Sequence, residues 1–161
     1  MSTNSNETPG EKILATWKKL KDKPFGKKLF SRGVGKLAAY TGTIKALVTD
    51  LTPGHCQSFL KERRQNKNHL KSIHAVALIN LGEMTSGLAV LSGLSSQIRG
   101  ILTKMEMEYI KKAKGDLYAD CQCEIPQVAD SIEYSVKTVI KDTSGEIVAV
   151  GTFYWLLSRK T

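Results

Sequence analysis

Acidic residues are scarce in this chain, and cysteine, proline and aromatic residues are scarcer. Only three cysteines occur, Cys56, Cys121 and Cys123, and no two stand in a Cys-x-x-Cys pair. An odd number without that spacing argues against a disulfide-stapled secreted domain, and a reducing, cytoplasmic setting is expected. The histidines His55, His69 and His74 fit no standard ligand spacing with the cysteines. No metal and no cofactor is therefore expected. Met1 to Gly10 is polar, without the apolar core of a signal peptide. No apolar run looks long enough to cross a bilayer, so no transmembrane segment is expected.

Fifteen acids face 24 Lys and Arg, a formal charge of +9, but the surplus is local. Residues 11–36 hold nine bases against Glu11 and Asp22, a surplus of seven, so the rest of the chain is nearly neutral. Nucleic-acid binding would prefer a basic face on the domain itself, and no partner of that kind is expected. Length and apolar content (161 residues, 41% hydrophobic) suit one soluble domain with a substantial core.

The spacing predicts a helix over 11–22, with Ile13, Leu14, Trp17 and Leu20 on one side and lysines on the other, broken at Pro24. Phe25, Leu29, Phe30, Val34 and Leu37 predict a second helix, weakened by Gly33 and Gly35. Residues 1–40 thus read as a helical arm. It either packs its apolar stripe on the rest or offers a basic amphipathic surface for peripheral membrane contact or a polyphosphate. Residues 41–161 read as the main domain. Thr43 to Leu51 and His55 to Arg64 are expected strands flanking the turn Thr52-Pro53-Gly54. Lys61, Arg63, Arg64, Lys67 and Lys71 form a basic loop region, either a solvated face or a phosphate contact.

Beyond that loop comes the longest apolar helical pattern in the chain, from His74 or Ala75 to about Leu91, with Ser72 as the expected N-cap and Gly93 as terminator. One carboxylate, Glu83, interrupts it. A bare charge on so apolar a helix must be paired, hydrogen-bonded or protonated. Four strand-like segments follow. Ile101, Thr103, Met105, Met107 and Tyr109 share one expected strand face, residues 117–125 and 132–141 also alternate, and 147–157 is apolar on both faces, as expected of a strand covered on both sides. Short turns between them make the strands antiparallel. One long helix against an antiparallel sheet of about six strands is an α+β two-layer domain.

Asn68, His74 and Glu83, with the carboxylate nine residues beyond the histidine, and the run Asp142-Thr143-Ser144-Gly145-Glu146-Ile147-Val148-Ala149 entering a last apolar strand, carry a resemblance. Over about residues 41–159 the chain resembles the hotdog-fold thioesterases, in particular the phenylacetate-pathway type of acyl-CoA thioesterase and an adjacent branch of uncharacterised relatives. The resemblance implies a curved antiparallel sheet wrapped around one central helix, and hydrolysis of an acyl-CoA or acyl-carrier-protein thioester by a homodimer or homotetramer. It also implies roles: Glu83 as general base or nucleophile, Asn68 and His74 orienting substrate or water, and the Ala75 N–H stabilising the oxyanion. Thr85 and Ser86 are further substrate-contact candidates. One departure stands out. The family usually has His-Gly-Gly where this chain has His74-Ala75-Val76. Alanine keeps its N–H but restricts φ and adds a methyl group.

Each residue also has a plainer reading. Glu83 could be a structural carboxylate held across a dimer, His74 a helix cap, Asn68 a turn former, and Thr85 and Ser86 could bond their own helix backbone. Two other functions share the fold: a non-catalytic acyl-thioester or fatty-acyl binding protein, and a 3-hydroxyacyl-thioester dehydratase that pairs His74 with Glu83.

Overall fold

The computed structural model describes residues 9–160. The polar start expected at Met1 to Gly10 lies outside the described residues except for Pro9 and Gly10, which open the first helix. The elements are α1 (Pro9–Leu20), α2 (Gly26–Leu37), α3 (Ala39–Gly42), β1 (Leu47–Thr52), β2 (His55–Leu60), α4 (Ala75–Gly93), β3 (Ile98–Tyr109), β4 (Leu117–Gln122), β5 (Ser131–Asp142) and β6 (Ile147–Arg159).

The six strands form one sheet in the order β1-β2-β4-β5-β6-β3, with every neighbouring pair antiparallel. The helix α4 lies against this sheet and carries the chain from the β1–β2 hairpin to the far edge, where β3 starts. Apolar residues all round give α4 no single hydrophobic stripe, so it has to be covered on several sides. The sheet covers one side with Leu60, Leu117, Ile140, Phe153 and Leu157, all without solvent contact. This is the hotdog arrangement: an α+β domain whose antiparallel sheet wraps a central helix. By length and composition α4 could also cross a bilayer. The expectation that no run was long enough is corrected here: the helix is that apolar because the sheet and α1 enclose it.

Glycines and hydroxyls set how closely helix and sheet approach. At Gly82 a Cβ would stand 2.6 Å from the Phe153 ring. The Thr138 hydroxyl donates to the Gly82 carbonyl at 3.1 Å, and Thr85 and Ser58 share a 2.6 Å hydroxyl pair between α4 and β2. The turn after β1 ties on too. The N–H of Gly54, at φ +78, donates to the Ala89 carbonyl at 3.0 Å. Trp17 of α1 packs edge-on to Phe30 of α2 at 5.0 Å between ring centroids, and both are buried.

Three local expectations are overturned. Ser72 does not cap α4; His74 does, its Nδ1 accepting from the Val76 N–H at 3.1 Å. A chain bend places Ser72 too early, and its hydroxyl bonds Asn68 Oδ1 instead. In β3 a bulge between Leu102 and Lys104 breaks the alternation. Gly100 and Leu102 face the helix before it, and Met107 and Tyr109 after it, so Ile101 does not share their face. In α2 only Phe30 and Val34 turn inward, while Leu29, Leu37 and the N-cap residue Phe25 are exposed.

The glycines make a paired prediction. Gly82→Ala should destabilise by roughly 1–3 kcal/mol, because the buried Phe153 ring cannot yield cheaply, despite the better helix propensity of alanine. Gly33→Ala, with open space around it, should stabilise by up to about 1 kcal/mol. Urea unfolding midpoints that move the other way for either variant would contradict this account of the helix–sheet contact.

Candidate functional site

The first turn of α4 is where the sequence concentrates its polar candidates. Asn68 sits in the loop before it. Its Oδ1 accepts from the Leu70 N–H, the Ser72 N–H and the Ser72 hydroxyl, at 2.9, 3.2 and 3.2 Å. This is an Asx-type turn, the local alternative that asparagine side chains offer the backbone. Ile73 then bonds the Ala113 carbonyl, and the His74 N–H bonds the Asn66 carbonyl at 2.7 Å. These bonds fix the angle at which the chain enters the helix.

A helix N-terminus leaves its first amides without intrahelical partners. Here Val76 is satisfied by the His74 ring, and Ala77 and Leu78 by the His74 carbonyl. The Ala75 N–H has no acceptor among the described residues, and Ala75 is exposed. One donor is thus left open at the positive end of the helix. The cap also constrains His74: an accepting Nδ1 leaves Nε2 to carry the ring proton.

Beside this turn lies a cavity of about 400 Å³, lined by Tyr40, Asn66, His74, Val76, Ala77 and Asn80 among others. Asn80 donates to the Tyr40 carbonyl at 3.4 Å and is buried. Nothing in the sequence marks Asn66 or Tyr40 as site residues, since one falls in the polar loop and the other at the end of the helical arm. Asn80 gave the same kind of signal as Glu83, a polar residue inside an apolar helical pattern. A larger cavity of about 760 Å³ lies between α2, α3 and β1, with Lys28, Arg32, Lys36, Lys45 and Met84 among its lining. The segment around Thr43 borders both.

Glu83 stands on the outer side of α4. Between Ala75 and Val90 only Ala75, Val76, Ile79 and Glu83 escape burial, a stripe at helical spacing. The Glu83 carboxylate has no hydrogen-bond or salt-bridge partner among the described residues, and partial burial pushes its pKa above the usual carboxylate range. It stands nine positions after the cap residue His74, about 13 Å further along the axis. One chain therefore brings His74, Ala75 and the Asn68 loop together but does not bring Glu83 to them. Thr85 and Ser86 have no exposed surface. Thr85 bonds the Leu81 carbonyl and Ser58, and Ser86 bonds the Glu83 carbonyl. In the basic loop, Lys67 pairs with Glu62 and Arg63 donates to the Ile44 carbonyl, while Lys61, Arg64 and Lys71 are exposed.

With this geometry in hand, no curated protein matches the chain. Solved structures do. A structural-genomics protein superposes with a TM-score of 0.79 at 23% identity, over 92% of this chain and 98% of its own. A Pseudomonas aeruginosa protein of unknown function, called a probable thioesterase, gives 0.75 at 24% identity, over 82% and 95%. A hypothetical thioesterase from Streptococcus pneumoniae TIGR4, solved with coenzyme A, gives 0.64 at 19% identity, over 79% and 99%. At these identities the likeness establishes the fold. One family match spans residues 26–157, taking in α2 as well as every strand and the central helix, and it covers most of the chain. The chain belongs to the family described as Domain of unknown function (DUF4442).

Proposed function

We propose that this protein is an acyl-CoA thioesterase whose active site forms between two copies of the chain. The observation that carries the reading is the Glu83 carboxylate: half-buried, without a partner among the described residues, and raised in pKa on the central helix of a hotdog fold. A carboxylate so placed is costly unless it has a task or an incoming partner. The coenzyme A bound to the Streptococcus pneumoniae relative supports a CoA thioester as the ligand class.

In this reading the thioester carbonyl oxygen accepts from the Ala75 N–H of one protomer, where the helix end favours developing negative charge. Glu83 of the other protomer removes a proton from water as the water oxygen bonds to the carbonyl carbon. The tetrahedral intermediate then expels the thiolate, and the proton held on Glu83 returns to sulfur. His74 offers its Nε2–H to the substrate or the water. Asn68 positions the loop before the helix through its Oδ1 and offers its Nδ2 hydrogens to the substrate or the water. The half-exposed stripe on α4 and the outer edge of β3, with Met105 and Tyr109 exposed, supply the surface for the second copy.

Glu83→Gln should lower kcat by roughly 10²-fold or more, with KM nearly unchanged, because a proton acceptor acts in the transition state. Free-thiol release from a panel of acyl-CoAs reads this directly. A folded variant with full turnover would sink the mechanism. Binding of acyl-CoA by the native protein without thiol release would favour the non-catalytic binder, with the Ala75 methyl as the first cause to test.

The raised pKa also fixes the sign of the pH dependence. The folded state disfavours the charged form, so the cost to stability is absent below the unfolded carboxylate value of about 4.3 and complete above the raised value. Glu83→Gln should therefore match or exceed the native melting temperature at pH 7 and lose any advantage in acid. Native kcat should fall as pH drops through the raised pKa, and the glutamine variant should lack that limb. A melting temperature that drops at pH 7 would instead mark Glu83 as structural.

Sedimentation should give at least a dimer, and Met105→Arg should reduce both assembly and turnover. A native monomer that is fully active would remove the basis for a shared site.

A further inference from the structure

The helix α2 carries apolar residues in two directions. Phe30 and Val34 turn inward and meet Trp17 and the core. Phe25, Leu29 and Leu37 follow a four-residue spacing, with Gly33 filling the gap, and lie on the outside. They are 77%, 57% and 86% exposed, and Tyr40 just beyond is 67% exposed. Scattered exposed apolar side chains are ordinary, but a stripe of them along one helix calls for a covering partner.

Beside the stripe runs a row of cations. Lys28, Arg32 and Lys36 each stand three residues after a stripe position, and the Lys28 ammonium lies 5.5 Å from the Phe25 ring centroid. None of the three forms a salt bridge with a described residue, and α2 contains no acid. The same three line the wall of the 760 Å³ cavity. Most of the chain's positive surplus lies in residues 11–36.

We propose that α2 seats this protein on an anionic lipid surface. Phe25, Leu29, Leu37 and Tyr40 enter the boundary between headgroups and acyl chains, and Lys28, Arg32 and Lys36 sit at phosphate depth. An amphipathic helix lying in the interface has this division between an apolar face and a cationic flank. A nucleic acid would satisfy the cations and leave the stripe in water. A bilayer satisfies both, and each exposed cation adds to its pull near an anionic leaflet.

The test is co-sedimentation of the full chain with vesicles of phosphatidylcholine alone and of phosphatidylcholine mixed with phosphatidylglycerol. Binding to the mixed vesicles, weakened by salt and absent or slight on the zwitterionic ones, is expected. Leu29→Ser/Leu37→Ser and Lys28→Gln/Arg32→Gln/Lys36→Gln should each weaken it about tenfold or more. Both sets change exposed side chains, so circular dichroism should show native folding. Should the leucine pair misfold, Leu37→Ser alone, at the most exposed stripe position, takes its place and should still weaken binding. No binding to mixed vesicles overturns the proposal. So does binding that ignores the leucine pair, which would make the attraction purely electrostatic. An assembly in solution that Leu29→Ser/Leu37→Ser dissolves would assign the stripe to a second copy of the chain and also overturn it.

Discussion

Everything in this fold depends on enclosing α4. A nineteen-residue helix with no polar face is insoluble alone, and six strands, the β1–β2 turn and α1 surround it. The enclosure is tight where backbone meets side chain. Gly82 admits the Phe153 ring, Gly10 brings α1 against the Leu91 carbonyl, and Gly54 and Thr138 donate to helix carbonyls. Small residues at these points let the hydrophobic contact close to interior density. The one outward stripe, from Ala75 to Glu83, is where the enclosure stops.

That opening also shapes the site. The groups at the helix start are spent locally: the Oδ1 of Asn68 on its turn, the Nδ1 of His74 on Val76. What remains unspent among these groups is the Ala75 N–H, one imidazole N–H, the Asn68 side-chain N–H groups and, two and a half turns on, one carboxylate. The chemistry offered by a single chain is thus sparse and divided. Capping through Nδ1 places the remaining ring proton of neutral His74 on Nε2, so the cap does not compete with the role proposed for it.

The fold was legible because its strands are half-buried. Alternation over residues 132–141 reads directly as a strand, the two-faced apolar run at 147–157 as one covered on both sides, and the solid apolar run at α4 as a core helix. The bulge in β3 was not legible, because shifting an alternating pattern by one residue leaves its composition unchanged. Ser72 and His74 both lie before the helix and both read as its cap, and only the bend fixed by Asn66 and Ala113 selects His74. In α2, an apolar residue facing outward has the same letter as one facing inward. Candidate residues could be named from spacing, but the distance separating His74 from Glu83 within one chain follows from helix rise, not from residue type.

The strand order has a consequence in time. In the sheet β3 pairs only with β6, yet it precedes β4, β5 and β6 along the chain. During synthesis α4 and β3 are therefore made well before the strand that joins them, and a twelve-residue strand waits with both edges bare. Such long-range closure is slow, and it leaves an interval in which neighbouring nascent chains compete for the same edge. The alternation of Lys104, Glu106 and Glu108 along β3 keeps that interval safer, because a stranger pairing there must accommodate three charges on one face.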